Sequence, residues 1–325
     1  MSGNLTHAKP RRREGDWHRP AILAKPMPVR KDTDHLKPQQ RRLLERGVEI
    51  IRQQFAEAIK GKAWERQKQG RILKIVLYGS MARGKAVRDL SSGYRSDFDL
   101  LIVVSHKELA EDHWWYGAED GLNFEESLGA TRYPYNIVVH DIADVNDQLR
   151  RGRPFFVDIN RDGIIVYEFD TKELAKPGNL SAEEIREEAQ GHFEQWYQRS
   201  LNLTELSSTA AERQMLNESA FLLHQAIEAA YHCVLLTLTL YPPQLHKIDK
   251  LRAMAEGLDP RLIEAWPRKT RNDRRPFDRI RRAYVEARYS KHYRITKEVL
   301  AEATASVEAL QGIVKTVCEE RLAAE

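Results

Sequence analysis

Residues 75–104 read IVLYGSMARGKAVRDLSSGYRSDFDLLIVV, and the first half of the chain is organised around them. Ile75–Tyr78 is an apolar run that stops at Gly79-Ser80, Met81–Lys85 is expected to open a helix, and Phe98–Val104 reads as a second strand. Asp97 and Asp99 stand near the start of that strand. Side chains alternate faces along a strand, so the two carboxylates project to the same side. Beside a Gly-Ser turn, such a pair suits a hard divalent cation and a polyphosphate. Gly79 lets the backbone pass close to a phosphate, Ser80 offers a hydroxyl and an N–H, and the start of the following helix adds N–H groups and a favourable dipole. Arg83, about one helical turn on, presents a planar fork to the same anion. The set implies nucleotidyl transfer, with Asp97 and Asp99 catalytic and holding Mg²⁺, and Gly79, Ser80 and Arg83 binding the nucleotide.

This stretch resembles the signature of the DNA polymerase β-type nucleotidyltransferases, particularly the minimal nucleotidyltransferase group. The motif pieces are Gly79-Ser80, Arg83-Gly84 and Asp97-Phe98-Asp99, in that order. Ala86–Tyr94 reads as an inserted loop within the motif. Active members of the family usually supply a third carboxylate from a neighbouring strand. The strand expected here is Tyr135–His140, where Asn136, Val138 and His140 share a face and none is acidic, while Asp141 has the opposite parity. An amide ligates Mg²⁺ through its carbonyl oxygen but neither acts as a base nor adds negative charge. The site is therefore expected to bind nucleotide better than it turns it over.

Outward from the motif, Pro38–Lys60 is an amphipathic helix that packs on the sheet, and Ile164–Tyr167 is a closing strand. Trp114 and Trp115 read as packing residues. Residues 1–35 hold eight Lys/Arg against four Asp/Glu and four of the 13 prolines, which carries the whole net charge of +4 and marks a disordered basic tail. Residues 36–170 form the nucleotidyltransferase domain and 171–180, with Pro177-Gly178, a linker. From the Ser181…Glu184 capping box onward, residues 181–325 are all helical. The fold class is α+β: a small mixed sheet flanked by helices, followed by an all-α bundle.

No secretory signal is visible, the longest apolar run is short for a bilayer span, and Cys233 and Cys318 sit in helical apolar patterns. A cytoplasmic location without membrane contact is the expectation.

The second half resembles HEPN domains, through FLLHQAIEAAYH (221–232), LHKIDKL (245–251) and RRAYVEARYSKHYRIT (281–296). Many HEPN domains are ribonucleases with an arginine separated from a histidine by four to six residues; here Arg288 and His292 have three between them. A helical turn would still put both on one face; a middle reading is a nucleotide or anion pocket without cleavage, in which His224, Gln225 and Glu228 on the second helix face Arg288. The bland alternative makes Arg288 a buried partner of Glu228 or Glu286, with Tyr289 and Tyr293 in the core. Between Arg261 and Arg294 there are twelve Lys/Arg against four Asp/Glu, with tyrosines interleaved. That surface suits tRNA or other RNA, or else neutralises the acidic segment 183–188.

The resemblances together imply Mg²⁺-dependent transfer of AMP from ATP to a hydroxyl of a protein or RNA, in a toxin–antitoxin or defence-type module. Tyr289 or Tyr293 would be an acceptor in cis, and a homodimer would form through the HEPN half. The alternatives are a HEPN ribonuclease, a nucleotide- or RNA-binding protein with a weakened transferase site, and an aminoglycoside-type small-molecule nucleotidyltransferase.

Overall fold

A computed structural model describes residues 31–60, 70–86, 96–131, 133–243 and 245–324. The basic tail up to residue 30 and most of the expected insertion, 87–94, lie outside the described residues. The end of the expected tail packs, with His35 Nε2 2.9 Å from the Met81 carbonyl, and Leu36, the first residue of the expected domain, is buried.

The first half is a four-stranded mixed sheet. Its strands are β1 (Ile72–Tyr78), β2 (Phe98–Val104), β3 (Tyr135–Asp141) and β4 (Ile164–Glu168), in the order β3-β2-β1-β4. β1 runs antiparallel to β2 and β4, and β2 runs parallel to β3. One face buries Ile75, Leu77, Phe98, Leu100, Ile102 and Ile137 under α1 (Pro38–Ile59), as the helical spacing of Leu44, Val48, Ile51 and Phe55 requires. Trp114 and Trp115 join that core, and Trp115 stacks on Phe55 at 5.0 Å. The other face buries Val76, Leu101, Val103 and Val138.

Gly79–Ala82 forms only a single turn, α2, in place of the expected helix over 81–85. The turn is closed by Arg83 N–H to the Gly79 carbonyl and Lys85 N–H to the Ser80 carbonyl. A turn this short has no dipole of consequence, so the contribution expected from a helix start is absent. α3 (Tyr116–Ser127) follows β2 through two short 3-10 turns, and α4 (Ile142–Arg150) and α5 (Pro154–Asp162) cover the second face. Gly152, in the left-handed region at φ +70, follows the end of α4.

The second half is a bundle of α6 (Ala182–Glu212), α7 (Leu216–Thr239), α8 (Ile248–Leu258), α9 (Arg271–Tyr289) and α10 (Lys297–Ala323). α6 begins on the expected box, with the Glu184 N–H donating to Ser181 Oγ at 3.1 Å and the Ser181 N–H to Glu184 Oε2 at 2.8 Å. α7 is the central helix. By length and composition it is apolar enough to cross a membrane, but Leu223, Ile227, Ala230 and Val234 are enclosed by the helices around it. Cys233 and Cys318 are both free and buried in this core.

Candidate functional site

Register fixes the site. Tyr78 opposes Asp99 across the β1–β2 pair, and Asp99 opposes Asn136 across the parallel β2–β3 pair. This brings the end of β1, both carboxylates and the expected third-strand position to one point of the sheet. Gly79 has φ +73, and a Cβ there would stand 2.3 Å from Asp99 Oδ2. Only a glycine both adopts this backbone and admits the carboxylate. Asp97 and Asp99 share a face, as strand parity requires. The Asn136 amide bridges them, with Nδ2 2.9 Å from Asp97 Oδ2 and 3.2 Å from Asp99 Oδ1.

The electrostatics follow from crowding two acids in a half-enclosed place. Burial, then the neighbouring Asp99, push the Asp97 carboxyl well above the usual carboxylate range. Burial raises Asp99 to about 6, against the opposing pull of the Asn136 amide and of Arg83. Arg83 is thus within electrostatic reach of Asp99. Ser80 is half-buried in the turn. Burial, then Asp99, also raise Tyr78, whose enclosed hydroxyl has no hydrogen-bond partner among the described residues.

The third-carboxylate position holds Asn136, buried between the two acids. Asp141 is taken up elsewhere: it caps α4, accepting the N–H groups of Ala143 at 2.9 Å and Asp144 at 3.2 Å. Among the described residues no group of three His, Cys, Asp or Glu side chains could hold a metal ion. The donor set is therefore two carboxylates and an amide.

The pocket expected in the helical half assembles only in part. His224 is buried and stacks on Tyr284 at 5.0 Å, and its pKa falls to about 4 through burial and then the positive charge of Arg288. Glu228 Oε2 accepts from Gln225 Nε2 at 3.1 Å, and its Oε1 lies 2.9 Å from His246 Nδ1. Arg288 is exposed, with its guanidinium 4.5 Å over the Tyr284 ring and 5.3 Å over Phe221. His292 does not join. α9 stops at Tyr289 with Ser290 extended, so Arg288 and His292 never share a helical turn. The buried-partner alternative is also overturned: Glu286 pairs with Arg282 at 2.7 Å, and Tyr289 is 76% exposed. Tyr293 is in the core, its hydroxyl donating to the Arg279 carbonyl at 2.9 Å. The basic surface does not neutralise the acidic segment through Glu188, which pairs with Arg153 at 2.5 Å.

Sequence reasoning missed the junction of the halves. Tyr241 stacks on Phe155 at 4.0 Å, and its hydroxyl lies 2.7 Å from His140 Nε2, while His140 Nδ1 lies 2.6 Å from Asp144 Oδ2. The only local signal was the aromatic residue before Pro242-Pro243, which read merely as a helix end. Glu119 on α3 pairs with Lys247 and Lys250 across the same junction.

The molecule is thus an α+β domain with a paired-carboxylate site, joined to an all-α bundle. Within the bundle, residues 193–317 match the HEPN domain family. A comparison with curated proteins finds no match to the chain.

Proposed function

We propose that the chain is a Mg²⁺-dependent nucleotidyltransferase that moves a nucleoside monophosphate, AMP from ATP, to a hydroxyl of a protein or RNA. The observation that carries this reading is the fit of Gly79 against Asp99, which sets a Cβ-free turn beside two same-face carboxylates. The pair suits a hard cation, because burial pushes both carboxyls up, a bound cation would offset that cost, and the Asn136 amide, turned over, offers an oxygen. Asp97, Asp99 and Asn136 would hold Mg²⁺, which when bound supplies charge compensation for a triphosphate and its leaving pyrophosphate. Gly79 and Ser80 admit the phosphates, and Arg83 offers its fork to them. Asn136 accepts no proton and adds no charge, so it favours holding nucleotide over fast turnover.

Of the two tyrosines near the end of α9, Tyr289 is the one open to modification, since the Tyr293 side chain is enclosed. A reducing cytoplasmic compartment suits both the substrate and the two free thiols. The test is incubation of the full chain with each of the four labelled nucleoside triphosphates, Mg²⁺ and a pool of RNA and protein. Label transfer and pyrophosphate release are expected in the wild type and lost in Asp97→Asn/Asp99→Asn. A wild type inactive with all four triphosphates sinks the reading.

A second reading has its own observation. Arg271, Arg274 and Arg279 on α9 have no ion-pair partner among the described residues, and Arg288 lies over the half-buried Tyr284 ring and the exposed Tyr289 ring. The HEPN half then contacts RNA through α9, as a toxin or ribonuclease-type module would. Loss of RNA binding in an Arg274→Gln/Arg279→Gln variant, with nucleotide transfer intact, is its signature.

A further inference from the structure

The two acids lie on the sheet face that the helical half covers. Asp97 and Asp99 share strand parity with Leu101 and Val103, and Asn136 with Val138. Those apolar residues form one cluster with Tyr241 and, more loosely, Met254 of the helical half. α8 packs directly on β3, the strand that carries Asn136.

Two residues beyond Met254, Glu256 is almost wholly buried and gathers two arginines. It accepts from Arg252 Nε at 2.7 Å and from Arg268 Nη2 at 2.5 Å. Arg252 also donates to the Trp266 carbonyl at 2.7 Å, which pins the segment leading into Arg268. Arg268 keeps 27% of its side chain exposed, whereas Glu256 keeps 1%. Both charges reach Asp97. A buried carboxylate bonded to two guanidinium groups is costly to desolvate, and packing alone does not require it. It makes sense where an arginine must be held rigidly at the edge of a charged site.

We propose that Arg268 is a phosphate-contacting residue supplied by the HEPN half to the carboxylate site, with Glu256 as the residue that positions it. This rests on the nucleotidyltransferase reading above. A magnesium-bound triphosphate remains anionic, and beside two carboxylates Arg83, the cation that the described part of the sheet domain brings to Asp99, does not offset it by itself. Arg268 adds the second cation from across the domain junction, in the planar form that suits phosphate oxygens. The site is then shared by both halves, and the HEPN domain is part of the nucleotide pocket.

The experiment is equilibrium titration of the full chain with Mg²⁺ and α,β-methylene-ATP, which is not turned over, and in parallel with AMP. Arg268→Gln is expected to weaken the triphosphate analogue about ten- to hundredfold and to leave AMP unchanged. Arg268→Lys, which keeps a cation on Glu256, loses part of that affinity. Thermal unfolding confirms that each variant is folded. If Arg268→Gln fails to fold, the lysine variant decides: a loss confined to the triphosphate supports the proposal, and unchanged affinity overturns it. Wild-type affinity in a folded Arg268→Gln overturns it too, while Mg²⁺-dependent binding that vanishes in Asp97→Asn/Asp99→Asn leaves the transferase reading standing. Absence of any Mg²⁺-dependent binding in the wild type fails both.

Discussion

Gly79 meets two demands at once, a left-handed backbone at φ +73 and a carboxylate oxygen 2.3 Å from where a Cβ would stand. Gly79→Ala is therefore expected to cost about 1–2 kcal/mol in backbone strain alone and to displace Asp99 as well. Denaturant unfolding checks the first effect, and loss of Mg²⁺-dependent nucleotide binding the second. Asn136 makes the opposite prediction. Asn136→Asp restores an acid between Asp97 and Asp99, so Mg²⁺ affinity and label transfer should both rise, while the metal-free protein loses stability to a third crowded carboxylate. The pH dependence of Asp99 has a definite sign. Its carboxyl moves from 3.8 to about 6 on folding, so between those values the folded state keeps a proton that the unfolded state releases. Stability therefore falls as pH rises through this window, by up to about 3 kcal/mol, and the penalty is complete above pH 6. Asp99→Asn removes it, so the variant should gain melting temperature over the wild type at pH 7 and not at pH 4. His224 works the other way: its fall from 6.5 to about 4 removes stability as pH drops through that range. The two opposing slopes overlap, which is why the comparison with the variant is needed.

At the scale of elements, Asp141 separates two readings of the third-strand position. It closes the first turn of α4 through two backbone N–H groups, so Asp141→Ala should cost about 1 kcal/mol of stability and leave Mg²⁺ binding and transfer unchanged. Loss of metal binding would instead make it a ligand. Its role was half legible from sequence, since strand parity already turned it away from Asp97 and Asp99. Strands with long apolar runs were legible throughout: β2 begins and ends where expected, and β1 is extended at its start by Ile72, Leu73 and Lys74. Lys74 hid that extension, because a lysine in a buried strand is expected only with a partner, here Glu168 at 2.6 Å on β4. α3 was not legible. Its Gly117 and Gly121 have poor helix propensity, yet a Cβ at Gly121 would come within 2.9 Å of Ile50, so these glycines let α3 lie close on α1. α9 starts five residues before Pro276, on a Thr270–Asp273 capping box. The Arg288/His292 pair failed for a related reason: periodicity says which residues share a face but not where the helix stops.

On the scale of the whole molecule, what sequence could not provide is the docking of one half on the other, which depends on contacts between residues a hundred positions apart. Tyr241 stacks on Phe155, meets Phe156 edge-on and reaches His140, so the second sheet face is closed by a residue of the helical half. The connecting segment is fastened as well, with the Gly178 N–H donating to the Leu149 carbonyl at 2.8 Å and the Ala175 N–H to Asn146 Oδ1 at 2.7 Å. A cluster built by both halves and a pinned connection couple their unfolding, so the wild type should melt in one cooperative calorimetric transition. Tyr241→Ala opens the shared cluster and strands the His140–Asp144 pair at its edge, at a cost of about 3–5 kcal/mol. The expected result is two separated transitions, with the sheet domain melting first because Phe155, Phe156 and Val138 lose their cover. Tyr241→Phe keeps the ring stack and removes only the bond to His140, so it should keep a single transition at a slightly lower temperature. If Tyr241→Ala also melts in one transition at the wild-type temperature, the junction does not hold the halves together.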